Sequence, residues 1–208
     1  MDKWYAANLR GDPSSGLGRW SEADIVSLLK TGHGGKIAAL GSMTDVIENS
    51  TQYLRDEDLL AIARYLKSLP PRGEKSSYQP DRPDVAIKLS AMVTGAIERP
   101  GAGIYEAFCA KCHQLNGMGN ERKKYPKLAG NSFVLSENST SLIRLLLEGS
   151  ATAETRSAPA PQIMPSFAQK LTDQQIAEVL SFVRNSWGNK SSHVTAREVS
   201  LLRKSLRE

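Results

Sequence analysis

The segment Cys109-Ala110-Lys111-Cys112-His113 carries the most specific signal in this sequence, because it contains both of the chain's cysteines. Residues three apart lie on one face of a helix, so two thiols at this spacing can each bond one vinyl group of the same porphyrin. The histidine that follows directly can then turn its imidazole toward the iron. The segment therefore has the C-x-x-C-H pattern of covalent c-type haem attachment, with Cys109 and Cys112 as anchors and His113 as an axial ligand.

Three other uses of the two thiols remain open at this stage. A structural zinc site needs four ligands, and the only other histidines, His33 and His193, are not at zinc-finger spacing. We expect both to be solvent-exposed, since His33 lies in a glycine-rich loop and His193 in the tail. A thioredoxin-like redox pair needs a preceding strand, whereas the residues around Cys109 predict helix. A disulfide between the two cysteines would close a very short loop and so stabilise the fold little.

A six-coordinate haem needs a second axial ligand, and methionine sulfur is the usual choice in electron-transfer haem proteins because it raises the potential. Met118 follows His113 too closely for the chain to pass around the porphyrin edge, and Met92 lies in the approach to the domain. Met164 lies in a proline-flanked loop before an amphipathic helix, where an extended segment can cover a flat cofactor. Met164 is therefore the candidate ligand, and a buried packing methionine is the alternative.

An internal repeat relates two parts of the chain. Apolar residues at i, i+3, i+4 and i+7 predict one amphipathic helix after Asp56 and another at Asp173, which follows a capping-box-like start. These positions are 117 residues apart, and a shift of 121 residues sets Met43 on Met164. Moved back by the same distance, Cys109 would precede the first residue. We therefore expect two related domains, the first truncated at its beginning, in a chain that is a C-terminal fragment.

The predicted fold class is all-α, with boundaries set by composition. Four prolines and few apolar residues make 70–84 a stiff, extended linker. It separates a truncated domain at 1–69 from a complete domain at 85–187. The remaining segment, 188–208, is basic and contains a short amphipathic helix that begins at Thr195.

Composition excludes several classes of protein. With 40% hydrophobic and 24% charged residues, the sequence is neither disordered nor membrane-spanning. The net charge of +5 is concentrated toward the C-terminus and suits an acidic partner or an anionic lipid surface. Few aromatic residues are clustered, so we expect no nucleic-acid partner. Arg122, Lys123, Lys124 and Lys127 form either a docking patch for an acidic redox partner or a solvated loop.

On these residues the chain resembles the cytochrome c subunit of bacterial membrane-bound alcohol, gluconate and sorbitol-type dehydrogenases, a triheme class I family. The resemblance covers almost the whole chain, through the segments 8–12, 16–21, 49–54, 65–70, 109–113, 126–131, 164–167 and 186–189. Such subunits look like three consecutive class I cytochrome c domains with one haem each. This chain is similar to the end of the second domain and all of the third.

The resemblance also implies roles for individual residues. It makes His113 and Met164 the axial ligands of the last haem, and it places Pro126 and Leu128 on the proximal side of that haem. It makes Met43 the distal ligand of a second haem, whose cysteines and proximal histidine this sequence lacks. The implied cofactor is therefore haem c, with one complete site and one truncated site.

The implied function is electron relay from a dehydrogenase catalytic subunit toward ubiquinone, with no catalytic residues in the chain itself. The implied location is the periplasm, at the outer face of the inner membrane, where the basic tail suits peripheral contact with lipid or a partner subunit. One alternative is a stand-alone soluble periplasmic cytochrome c. Another is a haem peroxidase-like enzyme, which would require an open coordination position and hence no ligation by Met164.

Overall fold

The computed structural model describes residues 4–35, 37–72, 78–80, 99–158 and 160–207. We call 4–72 the first half and 99–207 the second half. The first half contains α1 (Glu22–Thr31), β1 (His33–Gly34), β2 (Ile37–Ala38), α2 (Ser42–Asn49), a 3-10 turn (Thr51–Tyr53) and α3 (Asp56–Ser68). The second half contains α4 (Ala102–Phe108), α5 (Ala110–His113), α6 (Thr140–Glu148), β3 (Ser150–Ala151), β4 (Ile163–Met164), α7 (Asp173–Arg184) and α8 (Ala196–Ser205).

The chain is mostly helical, as the sequence predicted, and the short strands are an addition to that prediction. β1 pairs antiparallel with β2, and β3 pairs antiparallel with β4, two residues on each strand. Each pair follows directly on a helix that ends at a glycine, Gly32 after α1 and Gly149 after α6. Both glycines have positive φ, which lets the chain turn back on itself there.

Side-chain caps fix where several helices begin. Ser21, Thr172 and Thr195 each accept a hydrogen bond from the backbone amide three residues on, in a reciprocal capping box. The predicted helix at Asp173 and the predicted tail helix are confirmed with these caps, and the predicted helix after Asp56 is confirmed without a side-chain cap. Of the predicted linker, only 70–72 and 78–80 lie within the described residues, where Tyr78 forms an isolated bridge with residue 189.

The core of the second half forms where α4 crosses α7. Gly101, just before α4, has φ 86°, and a Cβ there would overlap the carbonyl of Glu178 in α7. This close approach buries Tyr105 completely, with its ring 5.5 Å from Phe182 and 4.9 Å from Trp187. The crossing positions α4, and with it the segment that leads into the C-x-x-C-H motif.

One hydrogen bond occurs in each half at equivalent positions. Lys67 near the end of α3 donates from Nζ to the Leu17 carbonyl at 3.1 Å, and Arg184 at the end of α7 donates from Nη1 to the Val134 carbonyl at 2.8 Å. Both donors and both acceptors are 117 residues apart, which is the shift found in the sequence. The same loop is therefore fastened to the same helix in each half.

The tail helix α8 packs on the second half. Its apolar residues Val199 and Leu202 are buried in the main core, and Arg203 forms an ion pair with Asp173 at 2.6 Å. The apolar face of this amphipathic segment thus covers the protein itself, and the outward face carries exposed basic side chains such as Lys204. Among the described residues, no helix combines the length and the hydropathy that a membrane span requires.

Candidate haem site

The two cysteines lie at a junction between helices. Cys109 ends α4 and caps α5, with its amide bonded to the Tyr105 carbonyl at 2.8 Å and its carbonyl accepting from His113 N at 3.0 Å. Both thiols are free and half-buried. Burial, assisted by the neighbouring Cys112, raises the pKa of the Cys109 thiol to about 12. The helical setting predicted for the motif is confirmed, and the strand that a thioredoxin-like pair would need is not found beside it in the described chain.

The imidazole of His113 is held in one tautomer by the backbone. Its Nδ1 lies 2.8 Å from the Pro126 carbonyl oxygen, and since a carbonyl only accepts, Nδ1 must donate. The lone pair of the neutral ring is therefore on Nε2. Burial lowers the pKa of His113, which keeps the ring neutral. This donor set fits a c-type haem. It consists of two thiols three residues apart and an imidazole whose Nδ1 is hydrogen-bonded and whose Nε2 is available to bind a metal.

The loop after His113 is wound so that Pro126 returns to the imidazole. Gly119 N donates to the His113 carbonyl at 3.0 Å, and Leu128 N donates to the Gly117 carbonyl at 2.7 Å. Gly119 has φ 67°, and a Cβ there would lie 2.7 Å from the Pro126 oxygen. Only glycine allows this approach without strain.

Trp187 fastens the same loop from the end of α7. Its Nε1 donates to the Leu115 carbonyl at 3.0 Å, and a Cβ on Gly117 would lie 2.5 Å from its ring. Trp187 has φ 53°, a left-handed conformation that is unusual outside glycine. Sequence analysis assigned Trp187 no role, although the glycines at 117 and 119 were a visible signal of close backbone approach.

Met164 lies in β4 and is half-buried. Its backbone pairs with Ser150, and its side chain packs against the main core, as do Cys109 and Leu128. The structure thus brings three of the predicted site residues to one apolar cluster. Pro126 joins them through its bond to His113.

Met43 is not part of this cluster. It lies in the first turn of α2 and packs against a separate small cluster that contains Ala39, Ile47 and Ala153. Whereas Met164 is in a strand, Met43 is in a helix, so the two methionines aligned by the repeat have different local structures.

The prediction that His33 is solvent-exposed was wrong. The ring is half-buried, Nδ1 faces the Thr31 carbonyl at 3.3 Å, and the buried Nε2 has no hydrogen-bond partner among the described residues. Burial, with a contribution from the positive charge of Lys124, lowers the pKa of His33. The pairing of β1 with β2 turns this loop inward, which the glycine-rich sequence did not reveal.

Other predicted side chains are exposed. Arg122, Lys123 and Lys124 are exposed, as is His193, while Lys127 is half-buried. These positions are compatible both with a docking patch and with a solvated loop. Across the described ranges, no group of three His, Cys, Asp or Glu side chains converges as metal ligands would, so the zinc alternative finds no ligand set there.

Comparison with known proteins identifies relatives of both the second half and the whole chain. The family model described as cytochrome c matches residues 99–187. The chain is 45% identical over 204 residues to the alcohol dehydrogenase (quinone) cytochrome c subunit of Gluconacetobacter polyoxogenes, covering 98% of this chain and 43% of that protein. It is 42% identical over 206 residues to the gluconate 2-dehydrogenase cytochrome c subunit of Pantoea cypripedii, covering 98% and 46%.

A shorter relative is similar over one part of the chain. Cytochrome c-552 of Thermus thermophilus is 38% identical over 112 residues, which covers 50% of this chain and 83% of that protein. The chain thus spans less than half the length of the two dehydrogenase subunits but nearly matches the length of a small cytochrome with one of its parts.

Proposed function

This chain belongs to the cytochrome c family, and from that membership we propose that it carries a c-type haem in its second half and acts as an electron-transfer subunit. A cytochrome c domain implies haem c, which supplies a one-electron Fe(III)/Fe(II) couple when bound. The observation that carries the proposal is the hydrogen bond from His113 Nδ1 to the Pro126 carbonyl, beside two free thiols. This bond holds the imidazole in the tautomer that binds iron.

The proposed ligand set has two covalent anchors and two axial ligands. Cys109 and Cys112 would hold the haem through thioether links, and His113 Nε2 and the sulfur of Met164 would bind its iron. Support for Met164 comes from its half-buried place on the core that Cys109 also contacts. Leu128 supplies apolar surface on the side of Pro126.

The residues of the chain position the cofactor and exclude water. The Pro126 carbonyl keeps the proton on His113 Nδ1, which raises the basicity of the opposite nitrogen. The tilted and edge-on ring contacts among Tyr105, Phe182 and Trp187 hold α4 and the following loop in place. We assign no acid, base or nucleophile to the chain, and the role that we propose for it is electron transfer.

The first half, in this proposal, has the later elements of a second cytochrome c domain. Lys67 and Arg184 support this, because they bind equivalent carbonyls at the ends of equivalent helices. Met43 would then be the distal ligand of a second haem. We assign no other ligand to that haem, since both cysteines of this sequence belong to the motif at 109–113.

The electron donor in this proposal is the catalytic subunit of an alcohol or sugar-acid dehydrogenase, and the acceptor is ubiquinone. Support comes from relatives named as cytochrome c subunits of alcohol and gluconate dehydrogenases. The site of action would be the periplasmic face of the inner membrane. Peripheral contact through the tail would use its basic outer face, since Val199 and Leu202 are already buried.

The test is expression in a host that matures c-type cytochromes. We expect the purified chain to be coloured, to gain the mass of one haem, and to show a methionine-to-iron charge-transfer band in the ferric state. Cys112→Ala should retain at most one thioether link, and His113→Ala should lose the normal reduced spectrum. A colourless product of unmodified mass would refute haem attachment. Colour without the band would refute Met164 as a ligand and favour the peroxidase-like alternative.

A further inference from the structure

The segment that carries Met164 is a hairpin with very little strand pairing of its own. β3 and β4 pair Ser150 with Met164 and Ala151 with Ile163, and Thr152 N continues the ladder to the Gln162 carbonyl at 3.0 Å. Isolated two-stranded hairpins are marginal even when their strands are longer. The position of Met164 therefore depends on what holds the hairpin from outside.

The base of the hairpin is held by the end of α6. Gly149 has φ 76°, and a Cβ there would lie 2.5 Å from the Met164 carbonyl oxygen, so the two backbones are in close contact. Beyond Met164, the Ser166 hydroxyl donates to the Leu147 carbonyl at 2.5 Å. These contacts fix where the hairpin starts and ends, and they leave its far end to other partners.

The far end is held by two side chains of the first half. The Glu48 carboxylate accepts from Glu154 N at 2.8 Å, and Gln52 Oε1 accepts from Arg156 N at 3.1 Å. Gln52 is only 9% exposed, and its Nε2 donates to the Glu48 carbonyl at 2.6 Å. The side-chain amide of Gln52 thus joins the end of α2 to the hairpin, because its nitrogen and its oxygen are both hydrogen-bonded.

Apolar packing seats the same end. Ala153, directly before the first of the two bonded amides, is 0% exposed and packs with Ala39 and Ile47 of the first half. A Cβ on Gly32 would lie 2.9 Å from the Ala153 methyl group, so the glycine after α1 leaves the space that this methyl group needs. The hairpin is therefore packed against the first half at Ala153.

We propose that Glu48 and Gln52 act as a clamp that holds Met164 on the iron of the second half. The clamp residues are positioning residues, since they touch the hairpin and not the ligand. The inference rests on the proposed ligation by Met164. It gives the first half a function toward the haem of the second half that needs no second haem, because a preorganised hairpin loses less conformational freedom than a free one when Met164 binds the iron.

The test compares clamp variants of the full haem-loaded chain for access to the ferric iron, with imidazole as the probe. Imidazole binds only when the methionine has left, so its apparent affinity reports the open fraction. In the double variant Glu48→Ala, Gln52→Ala we expect the affinity to rise about tenfold, which corresponds to about 1.4 kcal/mol. The methionine charge-transfer band should weaken in parallel.

Two variants serve as controls. Glu48→Gln keeps a side-chain oxygen that accepts from Glu154 N and should restore wild-type affinity for imidazole. Asp45→Ala removes an exposed carboxylate from the same helix and should leave the affinity unchanged. Wild-type imidazole affinity in the double variant, with the band intact, would overturn the clamp and leave the proposed ligand set standing. A wild-type protein without the band would instead refute Met164 ligation itself.

A second measurement covers the case in which the double variant does not fold. Hydrogen exchange at the amide of Glu154 in the milder single variant Glu48→Ala should accelerate at least tenfold relative to wild type, while amides within α7 keep their protection. Unchanged exchange at Glu154 would show that the carboxylate does not hold the hairpin and would overturn the inference.

Discussion

The two halves fasten equivalent loops with cations at equivalent positions, yet they bury those cations differently. Arg184 is 0% exposed and donates to the carbonyls of Val134, Ser136 and Ser192, whereas Lys67 is half-buried at the surface. The second half has one continuous core of 18 buried residues among those described. The described part of the first half has two clusters of three, and one of these includes Ala153 from the second half.

This difference in burial implies that equivalent hydrogen bonds contribute unequally to the stability of the two halves. A buried carbonyl that loses its donor has no water to replace it, whereas a carbonyl near the surface does. One of the two apolar clusters of the first half also depends on Ala153, which belongs to the second half. We therefore expect the second half to determine global stability and the first half to open more readily.

The largest effect is expected for Arg184→Met. Removing the guanidinium leaves three carbonyls without their donor in a buried site, and we expect a loss of about 3 kcal/mol or more in the free energy of unfolding. Urea denaturation of the haem-loaded chain, followed by far-ultraviolet circular dichroism, measures it. A loss below about 1 kcal/mol would mean that water reaches this site, and the contrast between the halves would disappear.

The helix crossing of the second half has no described counterpart in 4–72, and Gly101→Ala examines its contribution. The new methyl group would overlap the Glu178 carbonyl at a residue with φ 86°, so we expect a loss of about 2 kcal/mol. Gly103→Ala is the matched control, since a Cβ there meets nothing within 4 Å. It should stabilise the chain by about 0.5 kcal/mol. Thermal melts of both variants would contradict this account if their midpoints shifted equally.

Lys67→Met is the counterpart of the arginine variant in the first half. It removes the donor to Leu17, Gly18 and Trp20 carbonyls, but water can hydrate these positions, and we expect a loss of about 1 kcal/mol. Hydrogen exchange should place the added opening in α1 and α3 and spare α7. Global unfolding equal to that of Arg184→Met would show that the two fastenings are equivalent after all.

The smallest effect concerns pH and His33, the half-buried histidine of the first half. Burial lowers the pKa of folded His33 below its usual 6.5, so the unfolded chain takes up the proton first as the pH falls. The contribution of neutral His33 to the free energy of unfolding is complete above pH 6.5, and it is lost as the solution is acidified below that value. His33→Gln should therefore lose less stability than wild type between pH 7 and about pH 5. Parallel pH profiles of the two proteins would rule out this role.

Sequence patterns predicted the local structure well and the contacts between distant segments poorly. The capping residue Thr172 and the apolar spacing after Asp56 fixed two helices, because caps and periodicity act within a few residues. The residues around Cys109 likewise predicted helix, and the shift of 117 residues that relates Lys67 to Arg184 was visible in the sequence. The partners of those two cations were not, since backbone carbonyls leave no trace in a sequence.

Contacts between segments far apart in the sequence account for the features that were not predicted. The sequence around His33 is rich in glycine and indicates an open loop, but a two-residue pairing turns the ring inward. The bonds from Glu48 and Gln52 to residues 154 and 156 join segments more than 100 positions apart. Both outcomes depend on how one part of the chain packs on another, and neither leaves a local pattern.

The Pro126 oxygen that receives the His113 proton is a main-chain atom, and this makes the imidazole's environment robust to mutation. Replacing a side chain anywhere in the loop leaves that acceptor chemically intact. Only a change in the path of the backbone can withdraw it, and the glycine at 119 is the position most exposed to such a change. Substitutions among the loop's polar residues can thus change its surface while the acceptor that orients the imidazole of His113 stays in place.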